Sequence, residues 1–291
     1  MKHDLPYLLN LPPFTYRGIN FDDKSLIFKI LFIIKGKILS FIINKFEKKT
    51  FCSLINIFYR SEGNISYLNN YYQKTISNIG TVYYPNKRIL RVVNHDEFYN
   101  RIYKTYCLHY IEFNENDLIV DCGANVGELF SSLKYFDKRV KYIGIEPDLN
   151  TFECLNLNIE NAKNTSFNVA LSNNQQEKQF FFDNYGGNSS LEKFGDVQST
   201  ILTTKTLDSF GLKEDIKLFK IDAEGHELEA LEGAKNSLNI IEYITVDFGF
   251  EKGENQDSTI VEVNNFLIKN NFELYKFSEY RLVGLYKNKL K

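Results

Sequence analysis

No pair of cysteines in this sequence has the C-x-x-C spacing of a metal or redox site. The four present, Cys52, Cys107, Cys122 and Cys154, read as reduced, mostly buried thiols of a cytosolic chain. Long apolar runs are missing too. Even in the apolar stretch near the N-terminus the longest, Ile30 to Ile34, falls far short of the ~18 residues that span a bilayer. The opening Met-Lys-His-Asp lacks the basic-then-apolar layout of a secretory signal. Nor is positive charge in excess: 35 Lys and Arg against 37 Asp and Glu leave −2, which speaks against a nucleic-acid partner gripped through its phosphates. Proline is scarce, with Pro6, Pro12 and Pro13 near the start, and no Pro/Gly/Ser linker or internal repeat marks a domain boundary. What remains, 43% hydrophobic and 25% charged over 291 residues, is an ordinary globular composition with room for one α/β domain and an appendage.

The chain is organised around Asp117 to Asp148. Leu118-Ile119-Val120 reads as a buried strand ending on Asp121. The turn Cys122-Gly123-Ala124-Asn125-Val126-Gly127 follows, then Leu129, Phe130, Leu133 and Phe136 on one helical face. A second strand, Tyr142 to Ile145, ends on Glu146 and Pro147. This is a βαβ unit with a glycine turn and an acid at the tip of the second strand. Gly123 and Gly127 permit a tight turn and a close approach of backbone to ligand. Asp121 lies at the carboxyl edge, where open α/β sheets bind ligands, and Glu146 is placed to accept from two ribose hydroxyls. The turn lacks the full G-x-G-x-x-G spacing, so a nucleoside without phosphates suits it better than a dinucleotide.

The blocks DCGANVGE, IEPD, NVALSN, GGNSSL, TLDSF and KIDAEGHELEALEGA occur in that order between about Asp96 and the C-terminus. Together they closely resemble the FkbM-type methyltransferases, which use S-adenosylmethionine. The resemblance implies a Rossmann-like class I methyltransferase sheet, mostly parallel with an antiparallel last strand, over residues 91–291. An N-terminal extension occupies residues 1–90. It also implies that Asp121, Gly123, Ala124, Asn125, Gly127, Glu146 and Pro147 contact the cofactor, that Asn168 and Ala170 frame its adenine, and that Ser189 of the loop Tyr185–Ser190 lies close to cofactor and acceptor. The acceptor it implies is a sugar hydroxyl of a surface polysaccharide, lipid-linked glycan or nucleotide sugar. A nicotinamide-dependent oxidoreductase on the same βαβ unit is the alternative from another class, and a non-catalytic cofactor-binding subunit of a glycan-assembly complex is a third reading.

The second chemical block is the strand Ile216–Ile221 ending on Asp222, followed by Glu224, His226 and Glu227 and a helix carrying Leu228, Leu231 and Leu238. In a sheet wound this way the strand lies beside the first, so Asp222 projects from the same edge as Asp121. Methyl transfer needs an aligned acceptor, exclusion of water and a group to take the hydroxyl proton. Asp222 is the first candidate for that base or orienting group, His226 the second, with Glu224 beside them. At a helix N-terminus these acids also have a purely structural role, accepting from free N–H groups. A divalent cation on Asp222, Glu224 and His226 is conceivable chemistry, but no second run of ligands with metal spacing accompanies them, and no metal is assigned.

Residues 25–46 read as an amphipathic basic helix, packed either on protein with its lysines solvated or on anionic lipid as a peripheral contact at the inner face of the membrane. Phe51 to Asn94 is irregular apart from two strands, Thr81–Tyr84 and Arg88–Val93. A tyrosine-rich helix spans Asp96–Tyr110, and Thr165–Leu171 is a third strand of the sheet. Strands follow at Lys178–Phe182, Ser199–Thr204 and Ile240–Phe248, then a loop at Glu251–Asp257, a helix at Ile260–Ile268 and a closing hairpin from Phe272 to Tyr286.

Overall fold

The computed structural model describes residues 11–16, 19–182, 189–191, 198–253 and 255–291. They form two compact units that divide between Phe98 and Tyr99.

In the first unit Ser25 caps helix α1 (Leu26–Lys45), its hydroxyl accepting from the Phe28 N–H. α1 buries Phe32, Gly36, Leu39 and Ile42. A Cβ on Gly36 would lie 2.7 Å from the side chain of Leu11, so only glycine allows that approach without a shift. The helix is apolar on its other side as well: Ile27, Leu31, Ile34, Ile38 and Phe41 are exposed in a single stripe. No helix among the described residues is long and apolar enough to cross a membrane.

Helix α2 (Lys48–Tyr59) and an antiparallel meander of β1 (Ile65–Leu68), β2 (Tyr71–Ile76) and β3 (Gly80–Tyr84) follow, correcting the expectation of an irregular segment. The signal was local. Asn69 and Asn70 both take positive φ, as the two central residues of a tight hairpin turn must. The strand expected at Arg88–Val93 is instead a 3-10 turn, Lys87–Val92. The Asn86 side chain accepts from the Arg88 N–H, and the buried Lys74 ammonium takes the carbonyls of Val92 and Val93 at 2.9 and 2.8 Å, so the backbone is satisfied without a neighbouring strand.

Helix α3 (His95–Thr105) runs across the division. The second unit then alternates β4 (Leu118–Cys122), α4 (Glu128–Tyr135), β5 (Lys141–Ile145), α5 (Leu149–Asn158) and β6 (Thr165–Phe167). β7 (Ala170–Leu171), β8 (Glu177–Phe181) and β9 (Ser199–Lys205) come next, followed by β10 (Ile216–Ile221), α6 (Glu227–Glu232) and β11 (Ile241–Asp247). A short pair, β12 (Phe250–Lys252) and β13 (Asp257–Ser258), replaces the expected loop, and α7 (Ile260–Lys269), β14 (Phe272–Phe277) and β15 (Val283–Asn288) finish the chain. The large sheet has the order β14-β15-β11-β10-β4-β5-β6. From β11 to β6 the pairs are parallel, and β15 is antiparallel to both neighbours. This is the mostly parallel α/β sheet with an antiparallel last strand.

Alternation along the strands builds two cores. Val120, Ile145, Phe219, Ile221, Ile244 and Val246 pack with Leu231 of α6 and Val263 and Leu267 of α7. Ile119, Tyr142, Leu218 and Tyr243 pack on the other face with Leu129, Leu133 and Leu155 of α4 and α5. Each such side chain contributes roughly 1.5–3 kcal/mol by leaving water. Two smaller expectations are corrected. The strand Thr165–Leu171 divides, because Asn168 donates to the carbonyls of Glu146 and Pro147 and the chain then leaves for the three-stranded sheet β7-β9-β8. α6 stops at Glu232, leaving Leu238 in a separate 3-10 turn.

Candidate functional site

The tips of β4 and β10 meet backbone to backbone. The Asp222 N–H donates to the Cys122 carbonyl at 3.1 Å, and a Cβ on Gly123 would stand 1.9 Å from the Asp222 carbonyl oxygen. Gly123 has φ +73°, so both its conformation and its neighbour require glycine. Its first duty is therefore packing between strands, beyond the ligand approach that the motif suggests.

Glu146 ties the rest of the turn together. Its two carboxyl oxygens accept from the N–H groups of Asn125 (2.8 Å) and Asp148 (2.9 Å), and the Asn168 amide holds the Glu146 and Pro147 carbonyls. Ala124 is buried, and its N–H and that of Gly123 share the Ile145 carbonyl. Gly127 takes φ +82° and leads into α4. The structure thus brings Gly123, Ala124, Asn125, Gly127, Glu146, Pro147 and Asn168 into one connected corner, with Ala170 buried at the start of β7. Burial raises the Glu146 carboxyl to about 7, against the pull of its two backbone donors.

Asp121 is not at an open edge. It is fully buried, accepts from the Tyr142 hydroxyl, and lies 2.9 Å from the Lys220 ammonium. Asp222 approaches the same ammonium at 3.8 Å and accepts from the Tyr106 hydroxyl at 2.6 Å. Burial pulls the Lys220 ammonium down, but Asp121 and Asp222 outweigh it and hold the group above its ordinary value. Burial, then Asp222, pushes Tyr106 well up, so it keeps its proton and donates. Neither Lys220 nor Tyr106 stood out in the sequence. The signal for Lys220 was a charged residue inside the apolar run IKLFKI.

Beyond Asp222 the three ionisable residues Glu224, His226 and Glu227 part ways. Glu224 takes φ +50° and Gly225 φ +98°, and the chain then turns back. His226 is buried, its Nε2 3.0 Å from the Ser172 hydroxyl and 3.4 Å from the Lys178 ammonium, its Nδ1 3.6 Å from Glu229. These contacts set it among Ser172, Lys178 and Glu229, whereas Asp222 contacts Tyr106 and Lys220. Glu227 is a clasp: it accepts from the N–H groups of Ala223 and Gly225 at 3.0 Å and from the Thr259 hydroxyl at 2.9 Å. This is the structural role that acids at a helix start allow.

Asp222 and Glu224 gain two further acid neighbours instead, Asp247 at the end of β11 and Glu251 of β12. Asp247 pairs with Arg281 at 2.8 Å, and Arg281 stands 3.9 Å from Glu251. Burial and then Asp222 raise Asp247 to about 8, and the same two causes lead the rises of Glu224 and Glu251. At an effective dielectric near 20, two like charges about 4–5 Å apart repel by roughly 3–4 kcal/mol. This rim therefore favours a proton or a cation. Ser190 reaches it too, its hydroxyl donating to the Glu224 carbonyl at 2.6 Å. Ser189 next to it is half-buried, while 185–188 of the expected loop lie outside the described residues. All four cysteines are buried thiols without a disulfide, Cys122 among them in the turn.

The profile of the methyltransferase FkbM domain matches residues 121–274, just over half of the chain. Among characterised proteins, the hexuronic acid methyltransferase AglP of Haloferax volcanii is 26% identical over 140 residues, which are 47% of this chain and 57% of that protein. Similar solved structures include a SAM-dependent methyltransferase of Leishmania major (11% identity, 68% of this chain and 75% of that one, TM-score 0.41). TrmK of M. capricolum with S-adenosyl-homocysteine is another (13%, 65% and 68%, 0.38). The seven-stranded sheet, with Asp121, Glu146 and Asp222 at or beside the ends of β4, β5 and β10, lies in the second unit, as does the matched segment. The chain belongs to the FkbM methyltransferase family.

Proposed function

We propose that the protein moves a methyl group from S-adenosylmethionine to a hydroxyl oxygen of a sugar, with Asp222 as base or orienting group. The observation that carries this reading is the seat of Asp222: its backbone hydrogen-bonds the glycine turn, and its carboxylate is oriented by Tyr106 and Lys220. The corner around the turn fits the donor. Each Glu146 oxygen uses one lone pair on a backbone N–H and keeps another for a ribose hydroxyl. Asn168, just after β6, and Ala170, at the start of β7, are the candidates for the adenine side. When bound, the donor supplies a methyl already activated by its sulfonium. The chain has to hold the acceptor in line, exclude water and remove one proton. As the new C–O bond forms and the C–S bond breaks, the acceptor's proton passes to the Asp222 carboxylate.

The sugar is supported by the hexuronic acid methyltransferase relative, whose match covers part of its length. Membership of a methyltransferase family and the antiparallel last strand both favour methyl transfer over the nicotinamide alternative. The test is incubation of the purified chain with isotope-labelled S-adenosylmethionine and uronic acid-containing glycans. Alkali-stable label is expected, as for an ether. Label released by alkali would mark a methyl ester and sink the hydroxyl assignment, and no label in any glycan would sink the sugar.

A further inference from the structure

We infer that Asp222, Glu224 and Glu251 form a binding site for a hard divalent cation of the magnesium, manganese or calcium kind. One oxygen from each of the three carboxylates lies within 4.8 Å of the others. A second observation points the same way. Glu224 Oε2 and Glu251 Oε2 are shut off from solvent, and neither accepts a hydrogen bond. Both side chains are partly exposed, but these two oxygens are not, and the two acids lie within hydrogen-bonding reach of each other, an arrangement that a shared proton or a cation satisfies.

Two positive groups lie against the cluster and each also serves an acid outside it: Lys220 contacts Asp222 as well as Asp121, and Arg281 interacts with Asp222 and Glu251 as well as Asp247. Lys220 lies closest to Asp121, and Arg281 lies 2.8 Å from Asp247 against 3.9 Å from Glu251. The fold also makes room for this meeting of segments. A Cβ on Gly225 would lie 2.7 Å from the Glu251 carbonyl oxygen, and one on Gly249 would lie 2.5 Å from the Glu251 carboxylate. Two glycines thus admit β12 against the turn after β10 and leave the Glu251 side chain its place. An all-oxygen, all-carboxylate set selects hard cations over zinc or copper, and three protein ligands leave positions for water or an acceptor hydroxyl.

The role of the ion rests on the methyl-transfer reading: a hydroxyl bound to it becomes more acidic, so that a carboxylate suffices to take its proton. The site itself is tested without turnover. Manganese, magnesium and calcium chlorides are titrated calorimetrically into the chelator-treated full chain, and S-adenosylhomocysteine is titrated separately. Saturable binding near one ion per chain is expected. Glu251→Gln and Glu224→Gln should each weaken it by about tenfold or more, the least that loss of a ligand does. S-adenosylhomocysteine affinity should stay within about twofold in both variants, which also shows that they fold. No saturable binding of any of the three ions up to about 10 mM, beyond the weakest natural calcium sites, overturns the inference. So does binding that both variants leave unchanged. Cation binding in a chain that does not bind S-adenosylhomocysteine would keep the site and remove the methyl-transfer reading instead.

Discussion

Lys220 and Asp121 are direct partners on neighbouring parallel strands, and their charged groups meet at 2.9 Å in the protein interior. The same ammonium donates to the Gly123 carbonyl at 2.7 Å, so one side chain joins the first strand, the glycine turn and, through Asp222, the tip of the fourth parallel strand. Lys220→Met removes the counter-charge and leaves Asp121 buried. A loss of about 3–5 kcal/mol is expected in urea unfolding, as for other buried pairs with one partner removed. A loss below about 1 kcal/mol would place the pair with surface ion pairs, whose worth is that small.

Asp222→Asn should lower turnover by about 10²-fold or more while S-adenosylhomocysteine binding stays nearly intact, the pattern for loss of a positioned base. Tyr106→Phe removes one charge-assisted hydrogen bond to that carboxylate and should lower turnover by roughly tenfold. Unchanged turnover in the first variant eliminates Asp222 from the chemistry.

Gly123→Ala should be damaging out of proportion to its size. The added carbon meets the Asp222 carbonyl at 1.9 Å, and φ +73° strains any side chain. Thermal stability and cofactor binding should fall together. Cofactor binding alone falling, with the melting temperature kept, would mean that the turn answers to the ligand and not to β10.

The Glu146 carboxyl lies near 7 in the fold against an ordinary 4.5, chiefly through burial. Between those values the folded chain holds more protons than the unfolded one, so this group's contribution to stability falls as pH rises through that window. With Glu146 as the proposed ribose acceptor, binding has the opposite slope, because the ionised carboxylate is the better acceptor. S-adenosylhomocysteine affinity should therefore rise between about pH 6 and pH 8, and Glu146→Ala should weaken binding and flatten the rise. A flat profile in the unaltered chain would count against Glu146 as the ribose acceptor.

The exposed stripe of α1, Ile27 to Phe41, is accompanied by Lys24, Lys29, Lys37 and Lys45, and the helix itself holds no acidic residue. We propose anionic lipid as its partner, since a second copy of the same basic helix would bring like charges together. Co-sedimentation of the full chain with phosphatidylglycerol vesicles, reversed by salt and weakened by Leu31→Ser with Phe41→Ser, is the expected result. A chain left in the supernatant at low salt ends the lipid reading.

Much of the second unit was legible because its signals are local. Strand and helix periods around Asp117–Asp148 and Ile216–Leu231, positive-φ glycines in tight turns and acids at strand ends each need only a dozen residues to be seen. The first unit was less so. Its strands are short and rich in Tyr and Asn, and Arg88–Val93 has the composition of a strand but is held by the side chains of Asn86 and Lys74.

The linear order of residues alone determined the alternating α/β class, the glycine turn and the two acids that cap its strands, because side-chain period and turn chemistry act between near neighbours. Tertiary structure alone decided which charges meet. Lys220 faces Asp121 only through strand register, His226 is turned away by the bend at Glu224 and Gly225, and Glu251 replaces it because β12 packs on a glycine. Such encounters join segments from two dozen to a hundred residues apart, and nothing in a local pattern encodes the register or packing that brings them together.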